Sequence, residues 1–352
     1  MSHIMVSVII ANYNYAEFIS DAIRSALAQD WPFKEIIVID DGSTDQSRAK
    51  INLFGDRIKS VFTKNRGQRE ANNSGFALSS GDIIVFLDAD DLLLPGFLSS
   101  VVSVWTEKVS KVQVLMQRAD RDGTPSGNVI PKINGTLDPA HIRSWSLDSI
   151  EYPGPPGSAN AWSRKFLNQI FPLDKDCDSF TDSTCIAMAP YFGDIITLPE
   201  VFVLYRMHGN NNSNMTAEDS ACSREVSRAL KRFEAVQKAC IMQKQTPPDI
   251  NALYRGSHLL QLRVASMRLT PALHPLPEDS LGKALKDAVT LLFRNHFESF
   301  TFRILIIGWS LLTAIVPLKA ARFLIRKRFN INLPVRKQRY IPEPPIAQPA
   351  TR

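Results

Sequence analysis

At 352 residues, 44% hydrophobic and 22% charged, the chain has ordinary globular composition and is long enough for one large domain or two smaller ones. Its formal charge of +6 is unevenly placed: residues 301–352 hold ten Lys/Arg against one acid, which leaves the first 300 residues at −3. A slightly acidic body argues against a nucleic-acid-binding protein, whereas the cationic tail calls for an anionic partner.

In chain order, the opening MSHIMVSVII has neither the charged and apolar regions nor the cleavage site of a secretory leader, and the chain is expected to start directly with a strand. VSVIIA (Val6 to Ala11) is a β-branched apolar run, and FISDAIRSALAQ after it repeats its apolar residues at helical spacing. EIIVID, IKSVFT and DIIVFL return as strands, with helical stretches after DDGSTD and NRGQRE. This βαβαβ pattern predicts parallel strands covered on both faces, with ligands at their carboxyl ends. Asn12 to Tyr15, Asp40 to Asp45, Lys64 to Gly67 and Asp88 to Asp91 each follow a strand, so these polar loops should gather on one edge. The sequence contains no G-x-x-x-x-G-K-[ST] and no G-x-G-x-x-G, so a nucleotide would be held in some other way.

From about Trp105 the pattern loosens into VQVLMQ, a DRDG turn (Asp120 to Gly123) and the loop EYPGPPGSAN, expected to be ordered. The four cysteines, Cys177, Cys185, Cys222 and Cys240, form no C-x-x-C pair and no zinc-like spacing, so reduced thiols without disulfides are expected. Beyond Asn214 the reading is helical, with Thr216 and Asp219 placed as a capping box. Prolines from Pro271 to Pro277 interrupt it, and the Pro-rich last dozen residues are expected to be disordered. Ile304 to Leu318 is an uncharged run followed by the basic KAARFLIRKRF. A spanning helix needs about 20 apolar residues, so the expectation is an interfacial or shallowly inserted helix on an anionic membrane surface. A buried core helix is the alternative.

Why FLDADDLLLP places Asp88, Asp90 and Asp91 straight after a strand is an electrostatic question. Two carboxylates about 4 Å apart repel by roughly 4 kcal/mol at an effective dielectric of ~20. A solvated turn answers it, and so does a bound cation. If the strand continues, Asp88 and Asp90 point to one side, and Ala89 leaves room for close approach. Two hard oxygen ligands suit manganese or magnesium, especially one shared with a diphosphate. DDGSTD (Asp40 to Asp45) adds a second acidic loop, where Asp41 is placed to accept hydrogen bonds from a base and Ser43 or Asp45 to cap the next helix.

VSVIIANYNYAEFISDAIRSALAQDW, EIIVIDDGSTDQS, NRGQREANNSG and GDIIVFLDADDLLLPGFL together resemble the N-terminal half of family 2 inverting glycosyltransferases of the bacterial, membrane-associated type. The resemblance is strong over Val6 to Leu98 and weaker to about Ser213. It implies the α/β GT-A fold: a Rossmann-like, mostly parallel sheet flanked by helices, followed by a helical C-terminal region with an amphipathic, basic tail. Carried over by position, Ala11 and Tyr13 line the base pocket and Asp41 reads a uracil-like base edge. Backbone amides around Gly67 assist the phosphates. Asp88 and Asp90 form the D-x-D pair, with Asp90 the more direct metal ligand. In SFTDSTCIAMAPYFG the catalytic base falls on Asp182, and in LYRMHGNNNS Arg206 and His208 become candidates for the diphosphate or the metal. The chain departs from the family pattern at Thr181, where an acid is frequent, and at Asn72, where many relatives have Arg. The first departure leaves Asp178 as an alternative base.

The implied reaction moves a sugar from a nucleoside-diphosphate donor, a UDP-sugar, to a hydroxyl of a glycan or lipid-linked acceptor, at the cytoplasmic face of a membrane, with Mn or Mg as cofactor. The implied division is a donor-binding half (1–105), an acceptor-binding and catalytic half (106–215), a helical extension (216–300), a membrane-associating segment (301–340) and a disordered tail (341–352). Pro153 to Asn160 and Trp162 are the acceptor-side candidates. A nucleotidyltransferase is the enzymatic rival and a degenerate membrane scaffold the non-enzymatic one.

Overall fold

The computed structural model describes residues 4–133, 137–178, 180–208, 218–276, 278–293 and 298–329. The first third alternates strand and helix: β1 (Val6–Asn12), α1 (Ile19–Leu27), β2 (Lys34–Asp40), α2 (Ser47–Asn52), β3 (Lys59–Phe62), α3 (Gln68–Leu78) and β4 (Ile83–Asp88). The middle follows with β5 (Leu92–Leu93), α4 (Phe97–Ser103), β6 (Val109–Ala119), β7 (Pro125–Ile130), α5 (Pro139–Ser149), β8 (Asn160–Ser163), α6 (Arg164–Ile170), α7 (Thr181–Met188) and β9 (Asp194–Arg206). The rest is helical: α8 (Ala221–Met242), α9 (Ile250–Arg255), α10 (Ser257–Leu269), α11 (Leu281–Thr290), α12 (Phe300–Ile315) and α13 (Leu318–Phe329).

One sheet runs β3-β2-β1-β4-β8-β6-β9-β5, with β7 paired to β6. The first four of these strands are parallel, and β8 is antiparallel to both β4 and β6. Their apolar runs are continuous because both faces are covered. Val6, Val8, Ile10, Ile83, Val85 and Leu87 pack with α1, α2 and α4, while Ile9, Ile37, Ile39, Ile84 and Phe86 pack with α3, α7 and α8. Each such fully buried side chain contributes about 1.5–3 kcal/mol. The second of these clusters runs on through α8 and α10, so the helical extension shares the core of the sheet.

Register then places the polar loops. Asn12 lies beside Asp40, and Ala11 beside Asp88, which brings the carboxyl ends of β1, β2 and β4 abreast.

Several local expectations change. The strand β4 ends at Asp88, and Ala89 and Asp90 form a turn closed by Asp91 N–H on the Asp88 carbonyl (3.1 Å), so Asp90 is not aimed by strand periodicity. Asp45, not Ser43, accepts from the α2 backbone, at Ser47 N–H (2.9 Å), while Ser43 Oγ donates to Asp40. Thr216 lies outside the described residues, as do residues 209–213 and the last dozen. Asp219 does not cap α8 but pairs with Arg322 at 2.7 Å. The run Ile304 to Leu318 is not one helix: it breaks at Val316-Pro317 between α12 and α13. The DRDG segment is the turn joining β6 to β7, with Gly123 at φ +84° and its N–H on the Asp120 carbonyl. All four cysteines are free thiols.

Candidate active site

A cavity of about 480 Å³ opens at the carboxyl edge of the parallel strands, lined by all four post-strand loops together with Pro156, Gly157, Phe180, Thr181, Asp182 and Arg228. Ala11, Tyr13, Asp41, Gly67, Asp88, Asp90 and Asp182 all stand on its wall. Arg206 does not line it.

The two acidic loops are in opposite states. Asp40 accepts from Asn12 Nδ2 (2.7 Å) and from Ser43 Oγ (2.6 Å). Asp41 accepts from the backbone N–H groups of Arg66 (2.9 Å) and Gly67 (2.7 Å). Gly67, at φ +92° in a region that favours glycine, thus donates its amide to Asp41, and in this arrangement the amide is not turned to a phosphate. With Thr63 Oγ1 (3.3 Å) and a second contact from the Arg66 N–H (3.1 Å), Asp41 accepts about as many hydrogen bonds as a carboxylate can.

The second loop is under-satisfied. Among the described residues the Asp88 carboxylate accepts one hydrogen bond, from Gln68 Nε2 at 3.0 Å. Burial, then the neighbouring Asp90 and Asp182 carboxylates, push Asp88 up to about 8. Asp91 is buried behind it, accepting from Ser158 Oγ (2.6 Å) and Arg206 N–H (3.2 Å), and burial raises it well above the usual range. Asp90 Oδ2 lies 2.9 Å from His208 Nε2, whose ring stacks on Phe18. Burial and the same acids also raise the Tyr15 hydroxyl. Among the described residues, Asp88 is the carboxylate of this loop with the fewest donors.

Among the described residues no three His, Cys, Asp or Glu side chains converge as a preformed metal site. The donor set nevertheless fits a hard divalent cation such as Mn or Mg. Asp88 and Asp90 supply carboxylate oxygens, and the space beside Asp88 Oδ2 is kept open by Gly157, whose added Cβ would stand 2.7 Å from that oxygen. Phosphate oxygens and water would have to complete the shell.

Gly157 also fixes the opposite wall. Its N–H donates to Asp182 Oδ2 at 2.9 Å, so one residue separates the D-x-D acid from the candidate base. Asp182 sits in the first turn of α7, where the helix dipole favours a carboxylate. Asp178 is occupied otherwise. It is 1% exposed, outside the cavity lining, and accepts from Arg228 Nε at 2.8 Å. Burial alone would raise it, but Arg228 and Ser183 outweigh burial and hold it below the usual carboxylate range. Of the two acids, Asp182 lines the cavity and Asp178 does not.

The two departures from the family pattern are in contact: Asn72 Nδ2 donates to Thr181 Oγ1 at 2.9 Å, both buried. A neutral pair stands where a cation and an acid are common. A cation reaches the cavity instead from α8, as Arg228, held by Asp178 and Glu225 and lying 4.3 Å over the Phe180 ring.

Arg206 is placed differently from expectation. It is 3% exposed, 3.5 Å from Asp21 and over the Phe18 ring, and its backbone N–H serves Asp91. It supports the acidic loop from behind. Sequence reasoning missed Gln68, Phe180 and Arg228, and it placed Gly157 and Ser158 only within the acceptor-side stretch Pro153 to Asn160. Only the Pro-Gly-rich spelling around Gly157 carried a signal, that of a loop with special backbone angles.

Glycosyl transferase family 2 matches residues 7–171. An uncharacterized glycosyltransferase of Nostoc sp. is 37% identical over 236 residues, covering 63% of this chain and 70% of that protein. The chain belongs to glycosyltransferase family 2. The succinoglycan biosynthesis protein ExoU of Rhizobium meliloti is 41% identical to this glycosyltransferase over 102 residues, 28% of this chain and 30% of ExoU. The chain spans 19% of a Rickettsia conorii glycosyltransferase that is 34% identical over 115 residues. The fold is that of the mannosyltransferase PcManGT of Pyrobaculum calidifontis, solved with GDP-Man and Mn2+ (TM-score 0.51, 19% identity, 92% of this chain and 85% of that one). It is also that of S. aureus TarS 1–349, solved with UDP-GlcNAc (TM-score 0.50, 14% identity, 93% and 92%). The GT-A type α/β fold and glycosyltransferase membership set aside the nucleotidyltransferase reading.

Proposed function

We propose that this glycosyltransferase is metal-dependent and inverting, and moves a sugar from a nucleoside diphosphate, a UDP-sugar, to a hydroxyl of a glycan or lipid-linked acceptor in polysaccharide synthesis. The observation that carries the reading is one cavity lined by Asp88, Asp90 and Asp182, with Gly157 between Asp88 and Asp182. ExoU's role in succinoglycan biosynthesis and the nucleotide sugars bound by PcManGT and TarS support the acceptor and donor classes.

Ala11, Tyr13 and Asp41 form the wall for the base. Asp88 and Asp90 would hold the manganese or magnesium ion, which when bound supplies positive charge for the departing diphosphate. Asp182 takes the proton of the acceptor hydroxyl while that oxygen bonds to the anomeric carbon and the diphosphate leaves from the opposite face. The Gly157 N–H holds Asp182 in place for this transfer, worth 10²–10⁴-fold in such sites.

The test is Asp182→Asn, which keeps shape but cannot accept the proton. With UDP-sugars and manganese, turnover should fall 10²-fold or more with donor affinity nearly unchanged. Near-normal turnover in that variant, with Asp178→Asn inactive, would move the base to Asp178.

A further inference from the structure

The helix α12 is apolar on both of its faces. Ile306, Ile307, Ser310 and Thr313 are buried against α10 and α11. The opposite face presents Ile304, Leu305, Leu312 and Ile315, at helical spacing and all exposed, Ile315 at 77%. After the Val316-Pro317 break, Leu318 and Phe323 of α13 extend the exposed apolar surface. A helix apolar all round belongs in a core or in lipid, and here the core covers only half of it.

Charge selects the occupant. From Ser299 to Phe329 the chain has no acid, and α13 exposes Lys319, Arg326 and Lys327 beside that surface. Arg303 donates to the Leu291 carbonyl, while Arg328 donates to Gln261 and stays exposed. No helix among the described residues is long and apolar enough to cross a membrane. At 16 residues, α12 measures about 24 Å, short of the ~30 Å hydrocarbon layer. An apolar strip bordered by cations, on a helix too short to span, matches a helix lying in the plane of an anionic bilayer.

We infer that the exposed faces of α12 and α13 form a docking surface for an anionic lipid bilayer, with α12 lying in the interface. The surface is coupled to the catalytic cavity through α8. Asp219, two residues before α8 begins, pairs with Arg322 at 2.7 Å, and Arg228, about 10 Å along that helix from Ala221, lines the cavity. A bilayer held by α13 would therefore lie near the entry of a membrane-delivered acceptor. The docking surface stands apart from the transfer reaction, and its readout needs no turnover.

The experiment is co-sedimentation of the full chain with vesicles of phosphatidylcholine alone and of phosphatidylcholine mixed with phosphatidylglycerol. Binding should be at least tenfold tighter to the mixed vesicles and weaken with salt. Lys319→Gln and Lys327→Gln should each lower it about fivefold, the equivalent of about 1 kcal/mol per charge. Leu305→Gln with Leu312→Gln should lower binding to both vesicle types with the thermal transition unchanged, because both side chains are exposed. Equal binding of the doubly neutralised chain and the wild type would overturn the inference. So would absence of vesicle binding with the chain sedimenting as a dimer that Leu305→Gln dissociates, since the face would then belong to a second copy.

Discussion

Two acidic loops stand side by side at the carboxyl edge of the sheet, and they have been solved in opposite ways. The Asp40–Asp41 loop is finished within the protein: backbone N–H groups of Arg66 and Gly67, with Asn12 and Ser43, supply its donors. The Asp88–Asp91 loop is not. Packed beside each other and beside Asp182, its carboxylates find Gln68, Ser158, His208 and the Arg206 N–H, and burial pushes Asp88 up to about 8. The first loop behaves as architecture. In the second, among the described residues, Asp88 has a single donor, an arrangement that suits a ligand bringing its own cation. Carboxylate count does not separate the two loops; the donors around them do.

The sharpest way to break this contrast is Asp90→Ala. It should weaken manganese-dependent UDP binding by about 10³-fold, equivalent to about 4 kcal/mol, while leaving the thermal transition in place. Titration calorimetry giving wild-type affinity would return the loop to a solvated turn.

Asp41→Ala should do the reverse. The N–H groups of Arg66 and Gly67, both on exposed residues, lose a buried acceptor, so denaturant unfolding should show a loss of about 1–2 kcal/mol, with the manganese dependence of donor binding retained. A variant as stable as the wild type would show that the loop is not finished by Asp41.

Gly157→Ala probes the gap between the loops and the base. The added Cβ would press on Asp88 Oδ2 at a residue held at φ +31°, so turnover should fall about tenfold or more with about 1–3 kcal/mol lost in stability. Unchanged kinetics would mean that Asp88 swings away freely.

The smallest effect serves as the control for pH. Glu151, buried away from the cavity lining and accepting from Leu259 N–H (3.3 Å), is raised by burial from 4.5 to about 7. Across that window the folded state keeps a proton that the unfolded state has released, so stability falls as pH rises from about 4.5 through 7. Glu151→Gln should flatten this slope by about 1 kcal/mol per pH unit, and manganese with UDP should leave the Glu151 part untouched. If manganese with UDP abolished the whole slope, all of it would belong to Asp88–Asp91.

What the sequence determined by itself was local or periodic. Apolar runs alternating with helical stretches specified parallel, doubly covered strands. Placing Asn12, Asp40 and Asp88 at strand ends then required only the rule that such strands gather their carboxyl ends. Asp182 was reached differently, by its position in SFTDSTCIAMAPYFG under the resemblance to family 2 glycosyltransferases. What tertiary structure decided lies between residues distant in the chain. Asn72 meets Thr181 across 109 positions, Arg228 arrives from the helical extension to lock Asp178, Arg206 withdraws behind Asp91, and Gly157 separates Asp88 from Asp182. Periodicity fixes which face of an element a side chain takes. Which donor meets a buried carboxylate depends on how the elements pack, and that meeting sets the electrostatics of the site.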